Sequence, residues 1–386
     1  MKILIFEWGS YTQPDINACF DKCHINYRIV SYHFENKNKD TFFSHRFAKF
    51  LEEDAYDAVF SVNYFPLVAQ ACVEHSIKYL SWSYDNPLDV QNIEETLGFP
   101  TNYVFLFDKK QVESYLKKGF QNVFHLPLAV NPDRLDSITL TKQELSFYQS
   151  EFSFVGKLYR SPLSAYRSVM DDYCKGYIDS VCETQLKLYG CYLIEDLLTD
   201  ELLNRINAHC RSLEPDTEFY LSKEALSYAC AAQVTRKERL LLLSLLSTHH
   251  RLKLYSREQN APLKNVEYMG TCNYLSEMPK VFKASDINLN ITLKILQTGI
   301  PLRALDILGC GGFLLSNYQE ELAENFENEK EIVLYESIED AYAKADFYIR
   351  HPDLRKQIAQ NGHKKAAEQF NYKTQLTKIF EEAGLF

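Results

Sequence analysis

The sequence predicts an α/β protein in which one chain builds two doubly wound domains. Three observations carry that prediction. Short apolar runs alternate with helix-like stretches through the first 130 residues, a second such series opens at EFSFVGK, and NPDRLDSITLTKQE breaks the pattern between them. In the first series the strand-like runs are 3–6, 27–30, 58–62, 79–82, 104–107 and 123–126. The intervening stretches FFSHRFAKFLEE, YFPLVAQACVEH and KKQVESYLKKG are each long enough for a crossover helix. Crossover helices cover both faces of a parallel sheet, which is why these runs are apolar on both sides.

The second series comprises 152–155, 252–255, 266–269, 287–291, 313–315 and 332–335. From about 160 to 235 Tyr, Leu, Ile and Cys recur at helical spacing with no clear strand, so a helical insertion interrupts the second domain. The tail, HPDLRKQIAQNGHKKAAEQF and YKTQLTKIFEEAGLF, reads as two or three helices, with Asn361-Gly362 marking a turn. The expected domains are 1–135 and 150–360, followed by C-terminal helices over 361–386.

Composition narrows the function classes. The 386 residues are 46% hydrophobic and 24% charged, ample for two cores and ordinary for a soluble chain. A net charge of −10 argues against a general nucleic-acid binder. No apolar run approaches the roughly 18 residues that span a bilayer. MKILIFEWGSY holds too short an apolar run for an export leader and reads as the first strand. The ten cysteines contain no CxxC pair, and although Cys19 and Cys23 would meet at i, i+4 on a helix, no His/Cys set completes a metal site. Reduced thiols in a cytoplasm are therefore expected.

PLRALDILGCGGFLL places Gly309, Gly311 and Gly312 after a helix-like stretch and before a strand-like one, the reverse of a phosphate-binding glycine loop. These glycines should end a helix and turn the chain. An anion should sit at the other end of that helix, beside Pro301 and Arg303. Asp306, at i+3 from Arg303, lies on nearly the same face. One cation for a diphosphate and one carboxylate for ribose hydroxyls suit a nucleotide-sugar site, and a simple Arg303–Asp306 ion pair is the plainer alternative.

Other candidates stand at strand ends. VGKLYRSP puts Gly156, Lys157 and Arg160 after a strand, where a diphosphate could be held or two solvated cations could flank a turn. In SDINLNIT, Asn288, Asn290 and Thr292 alternate with apolar residues, and the last two could meet a ligand or cap the strand end. In LSWSYDNP, Asp85 follows a strand and is a general-base candidate, although Asp-Asn-Pro is also turn chemistry. Asp108 and His125 are secondary candidates at the next strand ends.

Several phrases together resemble a known family. They are VFSVNYFPLVA, YLSWSYDNP, VFLFDKK and KKGFQNVFHLPLAVN in the first half, and EFSFVGKLYRS, VEYMGTCNYLSEMPKVFKASDINLNIT, PLRALDILGCGGFLLSNYQEELAENFENEKEIVLYES and HPDLRKQIAQNGHKKAAEQF in the second. The chain is similar to bacterial glycosyltransferases of the spore-coat-maturation (CgeB-like) type, with GT-B architecture and a group-1-type C-terminal donor domain. That resemblance implies two Rossmann-like domains facing across a cleft, the first for the acceptor and the second for a nucleoside diphosphate sugar. The C-terminal helices would cross back to the first domain. It implies no metal or cofactor. The partners would be a nucleotide sugar and a carbohydrate or glycoprotein acceptor, and peripheral membrane association is compatible with it. Arg303, Lys157 and Arg160 would hold the diphosphate, and Asp306 stands where relatives place a ribose-binding Glu. Retaining relatives carry a further Glu eight residues earlier, where this chain has Thr298, which leaves the stereochemical outcome open. An epimerase or hydrolase of the nucleotide sugar, and a non-catalytic accessory subunit of a transferase, are the competing readings.

Overall fold

The structure, a computed structural model, describes all 386 residues except 35, 37, 38, 89, 91, 259 and 260. It divides into two compact units, one formed by Met1–Asp136, Thr298–Gly309 and Lys364–Phe386, the other by Ser137–Gln297 and Cys310–His363. The helix Leu302–Gly309, expected in the second domain, thus groups with the first unit.

The first unit holds strands β1 (Lys2–Glu7), β2 (Asn26–Ser31), β3 (Ala58–Val62), β4 (Lys78–Ser83), β5 (Asn102–Leu106) and β6 (Val123–His125). They pair in parallel in the order β2-β1-β3-β4-β5-β6. Strand order reverses between β1 and β3, and in open α/β sheets ligands favour the crevice beyond the strand C-termini at such a reversal. The core on one face is aromatic: Phe43, Phe47 and Phe65 meet the Phe6 ring edge-on at centroid distances of 5.4, 6.0 and 5.0 Å. On the other face Phe20, from the helix Gln13–Lys22, packs against Phe60 and against Phe380 of the C-terminal helix Tyr372–Glu382.

The second unit holds β7 (Ser150–Val155), β8 (Leu252–Tyr255), β9 (Val266–Gly270), β10 (Ser285–Asn290), β11 (Leu314–Asn317) and β12 (Val333–Tyr335). Their parallel order is β12-β11-β10-β7-β8-β9, with the reversal between β7 and β10. The segment expected to be a helical insertion is helical. Its helices Asp172–Leu186, Asp200–Leu213 and Lys223–Leu246 enclose a core of their own, including Ile178, Ile206, Leu226 and Cys230.

Every strand-like run of the sequence forms a strand; inner strands such as β3 are buried on both faces, whereas the edge strands β2 and β9 are largely exposed or half-buried. Two local expectations change. Asn361-Gly362 is no turn, since the helix Pro352–Gln369 runs straight through it. Gly362 lies on the buried stripe with Arg355, Ile358, Ala359 and Ala366, and that burial outweighs a glycine cost of about 1 kcal/mol. The stretch between the two strand series also contains helices, Pro132–Ser137 and Lys142–Tyr148, the second opened by a Thr141/Glu144 capping box. The glycines at and after the end of the helix Leu302–Gly309 act structurally. A Cβ on Gly309 would lie 2.8 Å from Leu135, and Gly311 takes φ +71°. No helix among the described residues is long and apolar enough to cross a membrane, and no disulfide joins their cysteines.

Candidate functional site

At the strand reversal of the first unit, β1 ends into Trp8 and β3 ends into Asn63. The indole Nε1 of Trp8 donates to the Val62 carbonyl at 2.8 Å, which fixes the ring. Asn63 takes the left-handed conformation at φ 68°, which asparagine tolerates better than most residues. That turn aims its amide at the exit of β4. Its Oδ1 accepts from the backbone N–H of Tyr84 at 2.7 Å and of Asp85 at 3.3 Å, and its Nδ2 donates to Asp85 Oδ2 at 2.6 Å. Asp85 is held by this template while its side chain stays exposed.

Tyr11, in the loop after β1, gathers the charges of the neighbourhood. It is 54% exposed, yet desolvation raises its hydroxyl above the usual tyrosine value; Asp306 adds to that rise, Arg303 opposes it and Asp85 adds a little more. Asp85, Arg303 and Asp306 therefore act on one phenol. Arg303 donates to Asp306 Oδ2 at 3.2 Å, with 29% of the Arg303 side chain and 5% of the Asp306 side chain exposed. This is the ion pair that was the plainer alternative, set into the protein rather than on its surface. Tyr84 lies deeper and reaches the Tyr372 hydroxyl at 3.5 Å, and burial pushes its pKa up. Nearby, Arg134 grips buried Asp15 through two bonds of 2.7 and 2.8 Å, and Asn131 adds a third at 2.9 Å.

The other first-unit candidates are placed differently. Asp108 is 1% exposed. It caps the helix Lys109–Lys117, accepting from the N–H of Lys110 and of Gln111. Its carboxylate also accepts from the Thr298 hydroxyl at 2.9 Å, the Thr298 N–H at 3.2 Å and Asn86 Nδ2 at 3.2 Å. Thr298 thus supplies two donors to a buried carboxylate, where a glutamate side chain would set one carboxylate against another. His125 ends β6, half-buried.

In the second unit Gly156, Lys157 and Arg160 follow β7, with both cationic side chains exposed. Asn290 and Thr292 leave β10 but are turned inward. Asn290 Nδ2 donates to Thr292 Oγ1 at 3.1 Å and to Ser316 Oγ at 2.8 Å, and Asn317 Oδ1 accepts from the Thr292 N–H at 2.7 Å. Asn288 likewise accepts from Ser153 Oγ at 2.6 Å. The polar alternation of β10 therefore serves a buried network.

Three charged residues that the sequence reading passed over dominate this region. Arg239, from the long helix Lys223–Leu246, donates to the carbonyls of Lys157 and Ile291, so its guanidinium bridges the exits of β7 and β10 at the strand reversal. It stacks between Phe154 and Tyr159 at 5.0 and 4.8 Å. Glu238 and Lys294 form a buried ion pair of 2.8 Å, with Tyr189 donating to the carboxylate at 2.9 Å and its ring 4.1 Å from the ammonium. Burial, then Glu238, raises the Tyr189 pKa. The sequence signal was there: Glu238-Arg239 interrupts an apolar helix running into LLLLSLL. Asn63, directly after the run 58–62, and Trp8, two residues after the run 3–6, carried a weaker one, and Tyr11 carried none. Among the described residues no group of three or more His, Cys, Asp or Glu is set to hold a metal ion.

Residues 236–381 match a family described as glycosyl transferase-like. No curated protein matches the chain in sequence. Among solved structures, a glycosyltransferase from Rickettsia africae is similar over 99% of this chain and 97% of its own, at 11% identity and a TM-score of 0.57. HepE of Anabaena, solved with UDP and glucose, is similar over 100% of both chains at 11% identity and a TM-score of 0.53. Sucrose-phosphate synthase of Thermosynechococcus elongatus is similar over 99% of this chain and 98% of its own, at 10% identity and a TM-score of 0.56. The chain therefore has the α/β fold of the GT-B glycosyltransferases, and its residues 236–381 are glycosyl transferase-like in sequence.

Proposed function

We propose that the protein transfers a sugar from a nucleoside diphosphate sugar to a hydroxyl acceptor. The observation that carries this reading is the glycosyl transferase-like sequence of residues 236–381, a stretch that contains Arg239, Lys294, Arg303 and Asp306. The binding of UDP and glucose by HepE, a protein of the same fold, supports the donor class. The finer likeness to the spore-coat-maturation type belongs to this reading too.

Each unit contributes in its own way. In the second, Lys157 and Arg160 offer exposed cations after β7 for a diphosphate. In the first, Arg303 stands in the first turn of its helix, where backbone amides add to the positive field, and Asp306 orients the guanidinium while remaining an acceptor for ribose hydroxyls. Cationic side chains of this kind neutralise a departing diphosphate, so the reading calls for no metal. In an inverting reaction Asp85 takes the acceptor proton as the acceptor oxygen bonds to the anomeric carbon, and the anomeric C–O bond breaks with its electron pair leaving on the diphosphate. In a retaining reaction the leaving phosphate takes the proton and Asp85 positions the acceptor.

The deciding measurement is a thermal-shift panel of UDP, GDP, dTDP and their sugars. A donor bound only by the native state raises the melting temperature, by an amount that grows with its concentration. No shift with any nucleotide sugar at millimolar concentration would refute the reading. Transfer of labelled sugar to water alone, unaffected by added acceptors, would favour a hydrolase.

A further inference from the structure

A hollow of about 590 Å³ lies beside the helix Gln13–Lys22 in the first unit, and it contains none of the residues assigned a part in transfer. Cys19, Lys22 and Cys23 line one side, and Asn131, Asn371 and Lys373 are among those facing them. The Cys23 N–H donates to the Cys19 carbonyl at 2.9 Å, so the two cysteines sit at i, i+4 on the last turn of the helix. Their thiols interact directly. We propose that this pair is a binding site for a thiophilic monovalent ion of the copper(I) type, held between the two sulfurs. The site is independent of the transferase reading.

Helix spacing rules out the simplest alternative, a disulfide. Cβ atoms four residues apart on a helix are about 5 to 6 Å from each other, whereas a disulfide needs about 3.5 to 4.5 Å. The pair therefore stays open while the last turn is intact. An ion with metal–sulfur bonds of about 2.3 Å, the zinc–thiolate length, spans a sulfur–sulfur gap of up to about 4.6 Å and bridges what a disulfide cannot. Coordination number then selects the ion. Structural zinc takes four ligands, and among the described residues no third His, Cys, Asp or Glu joins the two sulfurs. Copper(I) is soft, prefers thiolates and is satisfied by two of them. Binding forms two copper–sulfur bonds and releases one proton from each thiol, with no electron transferred. Burial raises the Cys19 thiol pKa, so displacing that proton is a cost the two bonds must exceed. The bis-thiolate centre carries one negative charge. Lys22 and Lys373 stand on the walls of the hollow, both act on Cys19, and both offset that charge. The remaining space admits a small thiol that delivers the ion by exchange.

The test uses the full chain, reduced and free of oxygen, with copper(I) supplied as its acetonitrile complex against the chromogenic competitor bicinchoninate. The wild type should withdraw one copper per chain, and zinc should show no tight binding. Cys19→Ser and Cys23→Ser should each lose that copper. Cys182→Ser, which alters the other interacting thiol pair, with Cys230, should keep it. Should a serine variant fail to fold, the wild type gives a second readout. Copper should shield Cys19 and Cys23 from alkylation, mapped by peptide mass spectrometry, and leave the exposed Cys191 reactive. Copper kept by a folded Cys19→Ser or Cys23→Ser, copper lost in Cys182→Ser, or shielding that falls on other cysteines would overturn the site. So would a wild type that takes no copper and instead loses both thiols to air as a Cys19–Cys23 disulfide, which would mark a redox pair.

Discussion

The two units build the same kind of sheet and treat its strand reversal in opposite ways. In the first, the crevice beyond β1 and β3 keeps a small recess lined by Trp8, Asn63, Tyr64, Phe65, Asp85, Leu88 and Val90, with Asp85 exposed. In the second, the crevice beyond β7 and β10 is filled by the Arg239 guanidinium, which ties the two strand exits together through the carbonyls of Lys157 and Ile291. The polar residues of β10 are likewise spent on one another. A fold-level rule identifies where a ligand can sit. Whether the place is open depends on what a neighbouring element sends into it. Here the long helix of the insertion decides, and it also supplies Glu238 to the buried pair with Lys294.

The largest expected effect tests the open crevice. Asp85→Asn keeps the shape and the contact with Asn63 but removes proton acceptance. Transfer at saturating donor and acceptor should fall about 10² to 10⁴ fold, with donor affinity near wild type. A rate within a few-fold of wild type would mean that the open crevice is not where the acceptor is deprotonated.

The filled crevice is tested through stability. Arg239→Met keeps much of the apolar stem and removes every donor to the two carbonyls. Urea unfolding should show a loss of about 2 to 4 kcal/mol, the scale of losing charge-assisted bonds to buried acceptors. A loss below about 0.5 kcal/mol would show that the guanidinium is a bystander and that the two crevices are more alike than their contacts suggest.

Binding separates the roles of the cations. Arg303→Ala should weaken nucleoside diphosphate affinity by about 1.5 to 3 kcal/mol in calorimetry. Asp306→Asn then sharpens the assignment. Selective loss for ribonucleotides over pyrophosphate marks a ribose contact, whereas equal loss marks a carboxylate that only orients Arg303.

The smallest effect lies at the capping box of the second unit. Hydrogen bonds from Lys280, then from the Thr141 backbone and hydroxyl, hold the Glu144 carboxyl down at about 2. A depressed folded pKa means that its contribution is fully present above the ordinary glutamate value of about 4.3 and disappears as pH falls towards 2. Melting temperatures from pH 6 to 2 should therefore fall slightly less steeply in Glu144→Gln than in wild type. Superimposable curves would remove Glu144 from the acid dependence.

Much of the fold was legible because its signals are local. The strand runs needed only their own apolar residues, and the capping box was readable from Thr141 and Glu144, although the sequence reading passed over it. Asp85 and Asp108 show where legibility stopped. Both follow apolar strands, and both looked like displayed carboxylates. Asp108 sits directly before a helix, a position that favours a cap, but its burial also needed Thr298, 190 residues away. Asp85 stays exposed because Asn63, 22 residues earlier, fixes it from the side.

The sequence by itself determined the alternation of strands and helices, the helical insertion and the kinds of chemistry available at each strand end. Side-chain periodicity follows from backbone geometry within a few residues, so it survives in a linear reading. Only the tertiary structure decided which polar groups are consumed and which are displayed. The partners of Arg239 lie 82 and 52 residues away, and a buried charge is tolerable only when such partners repay its desolvation. That balance belongs to pairs of distant residues, and no window of the chain contains it.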